Sequence, residues 1–240
     1  MTRPSLAAPF VAAPFVAALA LATPATAADR SFGVGSFERL RVDGPFEVRV
    51  VTGKSPTAQA TGDADQIERI DIRVDGTTLV VRMGGGWNER PREATTTVPT
   101  VTLTTPRLAA ATVFAGGRVT VAGMRGDRVD LTVSGTGAIA VTGADTPQLN
   151  AAIIGTGTLT LAGRAIAARL LTNGPGTIDA AALVTDKLAI RLDGPGETRA
   201  QARYTAEVTN TGLGRVTVAG NAKCTIKALA GGPVSCGPKL

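Results

Sequence analysis

The sequence predicts an all-β fold, a right-handed parallel β-helix with about 19–20 residues per turn. Three observations carry this: a glycine period, apolar columns that stay in register with it, and polar residues at the alternate positions. Gly116, Gly135, Gly155, Gly174, Gly194, Gly212 and Gly232 follow one another at intervals of 19, 20, 19, 20, 18 and 20 residues, the length of one solenoid turn. The flanking text repeats as TVSGTGAIAV, AIIGTGTLTL, LTNGPGTIDA, IRLDGPGETR and TNTGLGRVTV, each a strand, a Gly-x-Gly corner and a strand.

Strand side chains alternate between faces, so every second position shares a side. Six residues before the glycine stand Ala110, Val129, Leu149, Ala168, Leu188, Ala206 and Ile226. Four before it stand Thr112, Leu131, Ala151, Leu170, Ile190, Val208 and Ala228, and two before it Phe114, Val133, Ile153, Thr172, Leu192, Asn210 and Ala230. Beyond the corner the pairs Ile139 and Val141, Leu159 and Leu161, Ile178 and Ala180, Thr198 and Ala200, and Val216 and Val218 continue the inward face. The positions between, such as Thr132, Arg169, Arg191, Asp193 and Glu207, are mostly polar and face water. A β-sandwich also has short strands and glycine turns, but nothing in it holds so constant a period with the same inward columns.

Residues 1–27 read as a secretory signal peptide: Arg3, the apolar run AAPFVAALALA, and the small-x-small site Ala25-Thr26-Ala27, giving a mature start near Ala28. A membrane anchor is the rival reading. The run is short of the roughly 20 residues that span a bilayer and is broken by Pro14 and Pro24. No Cys lies near the cleavage point to carry a lipid, and no transmembrane segment is expected in the mature chain.

Residues 28–97 read as irregular N-terminal β turns and a cap of the solenoid, and residues 98–240 as regular turns with a C-terminal cap. LRVDGPFEVRV sets strands around Gly44, and IDIRVDGTTLVVRM repeats the pattern around Gly76. Between them Asp63 and Gln66 form a capping-box start for one or two helical turns. Residues 84–96 read as a loop, in which Trp87, with Asn88, Arg90 and Arg92, is a candidate surface binding site; a cap over the core end is the equal alternative for the Trp.

The 25 Lys and Arg against 19 Asp and Glu give a net charge of +6, or +5 without Arg3. Spread along a solenoid, that excess serves solubility, with anionic polysaccharide or lipopolysaccharide as the sharper reading. One Trp, one Tyr and six Phe leave no aromatic-laced basic stripe for nucleic acid. The chain has no His, which removes the commonest general base and most metal sites, and neither a G-x-S-x-G elbow nor a P-loop is present. No cofactor is expected. A polysaccharide-cleaving β-helix would need paired carboxylates on neighbouring turns. Here Asp193 falls between Asn173 and Thr211, Asp130 beside Asn150, and Asp179 beside Arg199, which read as surface ladders. Cys224 and Cys236 share inward parity on opposite arms of the last corner, and export favours a disulfide between them over two buried free thiols.

FERLRVDGPFEVRV, GDADQIERIDIRVDGTTLVVRM and the ladder of corners resemble the bacterial head GIN domain family, over about Phe37 to Gly237. The family turn is typically Ser-Gly-Ser-Gly; here it is Ser134-Gly135-Thr136-Gly137, Gly155-Thr156-Gly157 and Gly174-Pro175-Gly176. The resemblance implies a right-handed parallel β-helix in the periplasm or at the cell surface, with auto-transporter adhesin as the family label and no catalytic residues to carry over. The expected function is an exported, non-catalytic adhesin or envelope structural or binding module, partnered by cell-surface polysaccharide or envelope proteins. The alternative is a polysaccharide-binding or polysaccharide-degrading β-helix.

Overall fold

The computed structural model describes residues 28–84 and 98–238. Strand accounts for 70% of the chain, and the helix Ala64–Glu68 has five residues, so the architecture rests on strand pairing: a β-solenoid of about six turns. The strands Ala138–Gly155, Thr158–Asn173, Thr177–Asp193 and Glu197–Asn210 each run from one glycine corner to the next. Each is one turn, parallel to the turns on either side. Within a turn the chain leaves the corner along an exit arm, bends, makes a short third side and enters the next corner along an entry arm. The bends show as register shifts between Val141 and Ala144, Thr160 and Ala162, and Ala180 and Val184.

The pairing stacks like on like. Leu149 lies against Ala168, Ala168 against Leu188 and Leu188 against Ala206 on the entry arms; Ile139, Leu159, Ile178 and Thr198 succeed one another on the exit arms. All are buried and belong to one continuous core, except that Thr198 enters it as a polar residue. Its hydroxyl lies 2.9 Å from that of Thr172, so the two polar residues of adjoining columns satisfy each other. Asn210, also buried, binds the corner that follows it: its amide donates to Gly214 O at 2.8 Å and its Oδ1 accepts from Gly212 N at 3.1 Å.

Glycine is required at the corners for two physical reasons. Gly155 has φ +119°, where L side chains are strained, and a Cβ there would sit 2.9 Å from Gly135 O in the turn below. Gly176, at the other side of its corner, has no positive φ, but a Cβ would lie 2.6 Å from Ile153 Cγ2 and 2.9 Å from Gly155 O. The corners therefore stack backbone on backbone. Thr156 N donates to Gly135 O at 3.0 Å, and Thr158 N to Gly137 O at 3.0 Å.

Four departures from the expected pattern have identifiable causes. In the first regular turn the inward residues are Ala111 and Val113, which pair with Leu131 and Val133, rather than Thr112 and Phe114. The corner there is one residue early: Ala115, not Gly116, sits opposite the entry of the next corner, and Ala115 alone among the described non-glycine residues has a positive φ, 54°. Second, Ile70–Asp75 and Thr78–Met83 form an antiparallel hairpin rather than a solenoid corner. Gly76-Thr77 is a two-residue loop whose first residue has φ +59° and whose second is not positive, the pattern of a type II′ hairpin turn; no second glycine follows to allow a corner.

Third, the N-terminal rungs are not stacked in chain order. Arg39–Asp43 lies between Thr78–Met83 and Ala110–Phe114, and Glu47–Thr52 lies between Thr100–Thr105 and Arg118–Val121. The first corner is thus inserted beneath a later rung, and antiparallel strands Ile70–Asp75, Thr57–Gly62 and Ala28–Phe32 close that end. The helix contributes buried Ile67, and its N-cap Asp63 accepts from Asp65 N at 3.1 Å. Fourth, the last entry arm, Lys223–Ala228, keeps the inward register of Ile226 against Val208 but leaves it 44% exposed, with Ala228 and Ala230 also exposed, because no further turn covers them. Cys224 and Cys236 are joined as a disulfide across this last corner, with Cα atoms 6.6 Å apart.

Gly155→Ala is expected to destabilise by about 2 kcal/mol or more, lowering Tm by roughly 4–8 °C. Gly33→Ala, at a position with no atom within 4 Å of the added Cβ, serves as the near-neutral control. Differential scanning calorimetry of the two variants checks this; equal melting temperatures would contradict it.

Candidate functional site

The outward face of the entry arms is built by the same register as the core. One outward column reads Asp130, Asn150, Arg169, Ala189 and Glu207, and its neighbour reads Thr132, Ala152, Leu171, Arg191 and Thr209. Where the neighbouring columns place Ala152, Ala189 and half-buried Leu171, the face dips into a trough of about 490 Å³ lined by these ten residues and by Arg128. Arginines and carboxylates rise around a floor of small and aliphatic side chains.

Most of the charges are committed. Arg128 Nε donates to Asp130 Oδ1 at 2.8 Å and Oδ2 at 3.0 Å, and Asn150 Nδ2 donates to the same carboxylate at 2.9 Å. Arg191 Nε donates to Asp193 Oδ2 at 2.8 Å, while the Thr211 hydroxyl donates to Asp193 Oδ1 from the next turn. The Arg191 hydrogen bond, followed by that from Thr211, holds the Asp193 carboxyl below the usual carboxylate range. On the exit-arm face, Arg199 does the same for Glu197 and lies 3.6 Å from Asp179. Arg169 and Glu207 differ: neither makes a hydrogen bond, ion pair or ring contact with any described residue.

The trough does not pair carboxylates. Asp130 and Glu207 stand in one column with three rungs between them, so at about 4.8 Å per rung they are roughly 19 Å apart, twice the widest spacing that glycoside hydrolysis uses. Among the described residues no group of three or more His, Cys, Asp or Glu could hold a metal ion, and no helix is long and apolar enough to cross a membrane.

The anticipated ladders are in place, with Asp130 on Asn150, Asp193 on Thr211 and Asp179 beside Arg199. Trp87, Asn88, Arg90 and Arg92 lie outside the described residues. The trough was not singled out from the sequence. Its signal was present as two alanines and a leucine at outward parity, Ala152, Ala189 and Leu171, where neighbouring turns carry polar residues.

Coil and trough together define a parallel β-solenoid that presents a charged, shallowly concave face. The chain belongs to the family described as putative auto-transporter adhesin, head GIN domain, whose model matches residues 36–222. A search of curated protein sequences gave no match. Among solved structures, a putative adhesin from Bacteroides fragilis NCTC 9343 is similar with a TM-score of 0.78 at 20% identity, covering 89% of this chain and 97% of that one. A protein from Parabacteroides distasonis ATCC 8503 named as a putative lipid binding protein has a TM-score of 0.71 at 15% identity, covering 90% and 98%. A putative adhesin from Parabacteroides merdae ATCC 43184 has a TM-score of 0.67 at 17% identity, also covering 90% and 98%. At these identities the likeness is one of fold.

The lowered Asp193 pKa means that its contribution to stability is present above the unfolded-state value of about 3.9 and is lost as pH falls through the lower folded-state value. Asp193→Asn is therefore expected to lower stability at pH 7 by under about 1 kcal/mol, since the pair is partly exposed, and the difference should shrink toward zero in acid as the carboxyl protonates. Urea denaturation of both forms at pH 7 and in acid measures it; a gap that persists in acid would contradict the assignment.

Proposed function

We propose that this chain is an exported, non-catalytic β-solenoid that works as an adhesin-type binding module of the cell envelope, periplasmic or surface-exposed, with the entry-arm trough as its ligand surface. The observation that carries the reading is the trough itself. This face combines an aliphatic floor with charged walls, the composition of a recognition site. The leader-like residues 1–27 support export, the family label supports attachment, and the three structural neighbours above are named for attachment or binding. The wide separation of Asp130 and Glu207 favours binding over hydrolysis.

Two measurements on cells carrying a tagged copy test this. Fractionation is expected to find a mature form beginning near Ala28 outside the cytoplasm. Filling the trough by Ala152→Trp together with Ala189→Trp is expected to abolish retention on the cell's own envelope and matrix material while leaving Tm within a few degrees. An unprocessed cytoplasmic protein, or retention unchanged by the filled trough, would overturn the proposal.

A further inference from the structure

We infer that the trough binds a short peptide with free termini, held as a zwitterion between Arg169 and Glu207; this rests on the reading of the trough as a ligand surface. Every other charged side chain lining it is already paired: Arg128 with Asp130, which also accepts from Asn150, and Arg191 with Asp193. What the protein leaves open is one cation and one anion. They stand in the same outward column with Ala189 between them, since Arg169 pairs with Ala189 and Ala189 with Glu207. Alanine reaches no further than its Cβ, so the column between the two charges is unfilled; Leu171 stands beside Arg169, Thr209 beside Glu207, and Arg191, committed to Asp193, beside Ala189.

The spacing sets the ligand. Two rungs separate the Arg169 and Glu207 Cα atoms by about 9–10 Å. An extended chain covers about 3.3–3.6 Å per residue, so roughly three residues bridge that gap. The terminal carboxylate meets the Arg169 guanidinium, whose planar fork suits it, and the terminal ammonium meets the Glu207 carboxylate. Between them, small side chains rest over Ala189, with Leu171 beside the carboxylate end. A polyanion fits less well because Glu207 stands unpaired in its path. A neutral sugar would want an aromatic platform, and no aromatic residue lines the trough.

The probe is trialanine, compared with its N-acetyl and C-terminal amide forms by NMR titration of the amides of Leu171, Ala189 and Thr209 in the full mature chain. Trialanine is expected to shift these resonances with millimolar affinity, and Arg169→Gln and Glu207→Gln each to weaken it about fivefold. N-acetyltrialanine should bind wild type and Glu207→Gln alike, and the amide should bind wild type and Arg169→Gln alike. The exchange of both, Arg169→Glu with Glu207→Arg, should restore trialanine binding. Unmoved resonances, or capped forms that bind as well as the free peptide, would overturn the inference. Tetragalacturonate that binds in the same place, weakened by Arg169→Gln and strengthened by Glu207→Gln, would overturn the peptide assignment while leaving the trough a ligand surface. A trough-filled Ala189→Trp variant retained on envelope material like wild type would overturn the trough reading itself.

Discussion

The stack of glycine corners is the contact on which the rest of the molecule depends. Each corner rests on the one below with no side chain between them, since a Cβ on Gly155 would meet Gly135 O and one on Gly176 would meet both Ile153 and Gly155 O. That close approach lets the corner amides donate directly to corner carbonyls, and it fixes the rise from turn to turn at the spacing of a β ladder. With the rise and the corner both set, the arms have no freedom of register. Val133, Ile153, Thr172 and Leu192 must then fall in one inward column, and Arg169, Ala189 and Glu207 in one outward column.

A coil built this way has two ends that its own repeat cannot close. At the start, the chain departs from the repeat: a hairpin, two further antiparallel strands and a five-residue helix cover the core, and an early corner is slipped beneath a later rung. At the finish the repeat continues to its last arm, and a disulfide between Cys224 and Cys236 ties that arm to the next across the corner. Closing a loop of this size constrains the unfolded chain by roughly 3 kcal/mol in the entropic account. The bond stands where exposed Ile226 and Leu229 show that burial contributes least.

Where the repeat is strict the sequence is transparent, because parity and period together determine which side chain faces which way. The columns from Val129 to Val208 could be written down from the text alone. Legibility fails where one local choice alters the register. At Phe114-Ala115-Gly116-Gly117 the positive φ begins at a non-glycine residue, Ala115, and continues at Gly116, shifting inward parity to Ala111 and Val113, and glycine spacing does not reveal which residue of the four starts the turn. At Gly76 the same strand-glycine-strand text produces a hairpin, the lone glycine being sufficient for a two-residue loop. The non-sequential order of the first rungs is a property of long-range pairing that no local pattern encodes. The trough was half legible: its residues have the outward parity assigned to them, but that Arg169 and Glu207 are left unpaired while Arg128 and Arg191 are committed is a matter of side-chain geometry.

The trough is thus a by-product of the corner stack, since the register that buries Leu170 and Ile190 also sets Arg169, Ala189 and Glu207 in line. The most direct measurement of the central claim is amide hydrogen exchange on the folded protein. If the corners hold the coil together, the amides of Thr156, Thr158, Thr177 and Glu197, each bonded to a corner carbonyl of the preceding turn, exchange as slowly as those of the buried arms. Corner amides that exchange at the rate of open loops, while the arms between them remain protected, would show that the arms carry the structure and that the glycine stack does not.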